Sequence, residues 1–155
     1  MDPQPGQSNK SLIPQLEDQL DVFLVQKAPF TLPASVKEFI VKFGPWITLV
    51  LMLLAVPVIL AAIGLSSFYS AYVYTVNPNA GMTVTISLIF AIVEIALYAL
   101  ALPGLFKRSK AGWNFLFYST LVSAVGSLIT FQFVSLIIGT LIGLYILFQI
   151  KSYYK

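Results

Sequence analysis

The stretch Trp113–Ile150, WNFLFYSTLVSAVGSLITFQFVSLIIGTLIGLYILFQI, decides the fold, because it runs for 38 residues without a charge. As one helix it would be about 57 Å long, nearly twice the roughly 30 Å of hydrocarbon in a bilayer. It must therefore fold back, and its least apolar point, Thr130-Phe131-Gln132, is where the turn is expected. Two spans result, at about 112–129 and 133–150.

Working toward the amino terminus, the basic group Lys107, Arg108 and Lys110 precedes this hairpin and reads as a topogenic loop that also suits lipid headgroups. Before it, an apolar run at 82–102 ends at Pro103-Gly104. Residues 66–81 are polar but uncharged, hold Tyr69, Tyr72 and Tyr74, and contain Asn77-Pro78-Asn79-Ala80-Gly81, which predicts an exterior loop. Ahead of that loop, Trp46–Leu65 gives twenty residues without a charge, long enough to cross. Pro57 near its middle is expected to kink it.

Two further helices are predicted before the first span. From about Ser11 to Gln26, Leu12, Leu16, Leu20, Phe23 and Leu24 recur at helical spacing opposite Glu17, Asp18, Gln19 and Asp21. A free-standing lipid-surface helix is usually rich in lysine and arginine, so this acidic face points to packing against protein. Lys27 to Pro33 breaks that helix with two prolines. Ser35 and Glu38 then fit a capping box, and Val36, Phe39, Ile40 and Phe43 form an apolar stripe beside Lys37 and Lys42, a cationic interfacial helix ending at the corner Gly44-Pro45. Residues 1–10 carry no apolar period and read as a disordered tail.

Composition agrees with lipid as the main solvent. Of 155 residues, 58% are hydrophobic and 10% charged, against roughly 25% charged in a soluble domain. All nine lysines and arginines fall before the first span, between the second and third, or after the fourth, which is the positive-inside pattern with both termini cytoplasmic. No apolar core follows a basic start in the first forty residues, so no cleavable leader is expected. The expected fold is all-α: an integral membrane four-helix bundle over 44–155, preceded by amphipathic and interfacial helices over 11–43.

Cysteine and histidine are absent, which removes disulfides, thiolate nucleophiles and the usual general base near neutral pH. A catalytic serine would also lack an intramembrane lysine to activate it. The chain is therefore expected to be no enzyme, to need no metal or cofactor, and to bind no nucleic acid.

One acid breaks the apolar runs. Glu94 lies in the middle of the second span, and an ionised carboxylate in hydrocarbon is costly. Ser87, Ala91, Glu94, Tyr98 and Ala101 recur at steps of three or four and share a helix face, which is expected to point into the bundle. Candidate partners on other spans are Ser119, Ser123, Tyr118 and the kinked backbone near Pro57. Two roles follow: a protonated acid that locks helices by a hydrogen bond, or a carboxyl that exchanges a proton or binds a small cation. Small residues also recur at spacing four, Ser119, Ser123 and Ser127 on the third span and Ser135, Gly139 and Gly143 on the fourth. Such ridges are expected to pack against each other within the hairpin, with a homodimer seam as the alternative.

The runs Lys27-Ala28-Pro29-Phe30, Val36-Lys-Glu-Phe-Ile-Val-Lys-Phe-Gly-Pro-Trp46, Ala111-Gly-Trp113 and Gln149-Ile-Lys-Ser-Tyr-Tyr154 resemble uncharacterised small multi-pass membrane proteins of bacteria, including candidate phyla. The resemblance spans most of the chain, implies a bacterial inner membrane and this fold, and adds no catalytic residue. The residues favour a non-enzymatic structural, accessory or scaffolding role with a protein partner or a second copy in the bilayer. A small proton- or cation-coupled transporter or channel using Glu94 is the alternative.

Overall fold

A computed structural model describes residues 12–28 and 30–155, the side chains of 66–71, 73 and 135 apart. The expected tail over 1–10 lies outside the described residues. The chain is all-α, with no strand among the described residues. Helix α1 spans Leu12–Asp21 and runs into a wide π turn at Val22–Gln26; α2 spans Ala34–Val76, α3 Pro78–Phe106 and α4 Lys110–Ile129. The last helix, over 133–150, begins with π turns at Ser135–Gly139, continues as α5, Thr140–Ile150, and tightens into a 3₁₀ turn at Lys151–Tyr153. Four segments are long and apolar enough to cross a membrane: Ala34–Leu65, Pro78–Phe106, Lys110–Ile129 and Leu136–Tyr153.

One expected break does not occur. The corner at Gly44-Pro45 is absent, and α2 is one helix of 43 residues through both Pro45 and Pro57. A full break would leave more backbone N–H and C=O groups unpaired than the one N–H a proline lacks, and the helix continues. Nor does Ser35 cap it: the Pro33 carbonyl accepts from Val36 N (3.0 Å) and Lys37 N (3.1 Å), which puts Ser35 inside the first turn.

The expected exterior loop over 66–81 shrinks to one residue. Helix α2 is helical to Val76, Asn77 caps α3 by accepting from Ala80 N at 3.2 Å, and Pro78 occupies the first turn. Asparagine before proline, read as a loop signal, serves here as N-cap and helix start. The Tyr74 ring covers Gly81, where a Cβ would come within 2.8 Å of it, and the Tyr74 hydroxyl meets Thr85 Oγ1 at 2.6 Å. Asn77→Ala is expected to cost about 1 kcal/mol, measured as a shift in the denaturation midpoint in detergent.

The next two turns share one device. After α3, Ser109 N bonds Gly104 O (2.8 Å) and Arg108 N bonds Leu105 O (3.1 Å), with Arg108 at φ 51. After α4, Gln132 N bonds Ser127 O (2.8 Å) and Phe131 N bonds Leu128 O (3.2 Å), with Phe131 at φ 56. Both are Schellman closures that usually take glycine at the left-handed position. The second puts the hairpin turn at Thr130–Gln132, where the sequence predicts it.

The core gathers at the charged end of the bundle. Trp113, Phe117, Phe148, Leu105, Val41 and Ser119 are its largest fully buried side chains. Trp113 stacks on Phe117 (5.5 Å), meets Phe148 edge-on (5.3 Å), and donates from Nε1 to Leu147 O at 2.8 Å. Helix α3 packs chiefly on α2 and α4, and among the described residues no side chain of the last helix before Leu144 is buried.

Helix α1 packs on protein, as its acidic face implied. Lys151 Nζ lies 3.0 Å from Glu17 and 3.4 Å from Asp21, Gln149 Nε2 donates to Leu24 O at 3.0 Å, and Tyr145 donates its hydroxyl to Phe30 O at 2.7 Å. Leu20 and Leu24 pack on the core while Leu12, Leu16 and Phe23 stay exposed.

Candidate functional site

Glu94 sits midway along α3, half-buried between α2 and α4. On the α4 side, Ser123 shares a cleft with its carboxyl, and one turn away Ser119 faces the Tyr98 hydroxyl. Ser119 Oγ donates to Leu116 O at 2.8 Å, which leaves its oxygen to accept from Tyr98. Serines that satisfy a donor on their own helix and still present an acceptor suit a polar contact in lipid.

Two clefts meet at Glu94. The first, of about 240 Å³, follows the α3–α4 seam and is lined by Ser87, Ala91, Ser123 and Ser127, then Thr130 and Gln132 at the hairpin turn. Gln132 Nε2 donates to Thr130 Oγ1 at 3.0 Å, so the cleft mouth carries an ordered polar pair. The second, of about 310 Å³, lies between α2 and α3, with Thr48, Met52 and Ala55 facing Glu94 and Tyr98. Hydroxyls thus lead from the uncharged end of the bundle to the carboxyl, and the Trp113–Phe117–Phe148 core closes the charged end.

The face Ser87, Ala91, Glu94, Tyr98 lines these clefts as its spacing implied, and Ser123 and Ser119 stand among its expected partners. Pro57 itself is exposed and lines neither cleft, but Ala55 and Ile59 on either side of it stand in the α2 wall with Thr48 and Met52. The two small-residue ridges are not apposed. Ser119, Ser123 and Ser127 face α3, a Cβ on Gly139 would meet nothing within 4 Å, and one on Gly143 would touch only Thr120 Cγ2 at 3.7 Å. Ser135 offers no described side chain.

A backbone-to-backbone helix contact is made by glycines outside the two spacing-four ridges. A Cβ on Gly104 would lie 2.5 Å from Gly112 N, and one on Gly112 would lie 2.5 Å from Gly104 C and Leu105 N. Helices α3 and α4 therefore touch backbone to backbone just inside their turn. A signal existed, since Gly104 and Gly112 stand four residues either side of Arg108 and so meet in any hairpin turning there. Toward the other end, Phe90 fills the gap over Gly126 at 3.0 Å and lines the first cleft. Lys107 and Arg108 lie at the α3–α4 turn, and Lys110 opens α4.

The fold and site define an all-α chain with four helices long and apolar enough to cross a membrane and one carboxyl at their mid-length. No family model matches the chain, and comparisons with curated proteins and with solved structures give no match.

Proposed function

We propose that this is a small multi-pass membrane protein that takes up a proton or small cation at Glu94, as a transporter, a channel or a subunit of one. The observation that carries the reading is the polar cleft that ends on Glu94, the sole ionisable acid or base of the apolar runs. Intramembrane acids face a bundle interior or a water-filled cavity, and a hydroxyl-lined approach fits uptake better than a dry structural lock. The positive-inside charge pattern supports cytoplasmic termini, and the resemblance supports a bacterial inner membrane; in that orientation the cleft opens toward the exterior. This role needs no catalytic group or cofactor. Reconstitution in vesicles, with flux compared between wild type and Glu94→Gln, tests it.

A second reading is an accessory or scaffolding protein that pairs with another chain or a second copy. Its support is α2, whose most apolar window has no buried residue. Crosslinking from Leu53 or Val58, both exposed on α2, is expected to give a discrete dimer or hetero-complex under this reading, and monomer alone would remove it.

A further inference from the structure

A separate cleft of about 420 Å³ lies at the charged end, where α1, the start of α2, the start of α4 and the end of α5 converge. Lys37 and Lys110 enter it from different helices, and neither forms an ion pair among the described residues. Lys151 is already held by Glu17 and Asp21. The apolar wall is Val25, Trp113 and Phe148.

The same cleft is lined by Gln149, a side chain only 2% exposed whose Oε1 has no hydrogen-bond partner among the described residues. Its amide orientation is fixed by the bond from Nε2 to Leu24 O. A buried acceptor left unpaired costs about 1–3 kcal/mol, so the site calls for a ligand that brings an O–H or N–H. Two unpaired ammonium groups beside it call for an anion on that same ligand.

We propose that this cleft binds the headgroup of a phospholipid whose phosphate is followed by a hydrogen-bond donor, the chemistry of phosphatidylglycerol hydroxyls or a phosphatidylethanolamine ammonium. Lys37 and Lys110 take the phosphate, Gln149 Oε1 accepts from the head, and the acyl chains extend into the bilayer. The site uses the membrane location but not Glu94, so it stands or falls apart from the flux measurement. Choline heads carry phosphate without a donor and serve as the discriminating control.

The full-length protein in detergent, offered phosphatidylglycerol, phosphatidylethanolamine and phosphatidylcholine of equal chain length, is read by lipid retention in native mass spectrometry. Wild type is expected to retain the first two over phosphatidylcholine. Substitution of either Lys37 or Lys110 by glutamine should weaken retention of both roughly fivefold, the usual worth of one cation near a lipid surface. Gln149→Leu should erase the preference over phosphatidylcholine while tryptophan fluorescence stays unchanged. Equal retention of all three lipids by wild type, or lysine variants that bind like wild type, would overturn the proposal. Displacement of bound lipid by soluble glycerol phosphate would also overturn it, marking a soluble ester as the ligand.

Discussion

Glu94→Gln is expected to bring proton- or cation-dependent flux down to that of protein-free vesicles while leaving yield, helicity and detergent stability close to wild type. Glutamine has the same shape, and its amide still offers a donor and an acceptor to Ser123, so a merely structural hydrogen bond survives the exchange. What the amide cannot do is gain or lose a proton, or present a charge to a cation. The substitution therefore separates the two roles of a membrane-depth carboxyl. Glu94→Leu serves as the companion: it removes both roles and is expected to destabilise as well. Flux equal in wild type and Glu94→Gln, or absent from both, would remove the proposed function and leave Glu94 as a helix lock.

The architecture was legible because it rests on two coarse physical quantities, apolar length and the placement of charge. The uncharged run from Trp113 to Ile150 had to fold back, and the turn falls at Thr130–Gln132 as its polarity implied. The polar face around Glu94 was legible for a similar reason, since a carboxyl, a phenol and a serine on one side of a greasy helix must point inward. Which helix meets that face was not. Where helices are apolar nearly all round, partners are chosen by close packing and polar contacts that leave little periodic trace. Thus Ser119, Ser123 and Ser127 read as a ridge for the last helix yet serve α3. Prolines misled in the same way: Pro45 and Pro103 stop helices in water, but here both lie inside helices. The left-handed turns at Arg108 and Phe131 were silent because neither uses the glycine that usually announces them.

The second large effect belongs to the glycine crossing. Gly112→Ala is expected to destabilise by about 2–3 kcal/mol, the upper range for overpacking a tight contact. The added Cβ would fall 2.5 Å from the Gly104 carbonyl carbon and the Leu105 nitrogen, both backbone atoms that cannot swing aside. Relief requires α3 and α4 to separate, which loosens Trp113 in the core and lengthens its bond to Leu147 O. Alanine is the better helix former by about 1 kcal/mol, so propensity alone would predict a gain at every helical glycine. Three glycines then rank the competing terms. Gly112→Ala should be most harmful. Gly126→Ala should be milder, because it meets only the Phe90 ring at 3.0 Å. Gly139→Ala should be neutral or stabilising, because it meets nothing within 4 Å. Unfolding in mixed detergent followed by tryptophan fluorescence reads all three. If Gly139→Ala proved as damaging as Gly112→Ala, the ridge on the last helix would be a packing seam after all, and close approach at Gly112 would not be what sets the cost.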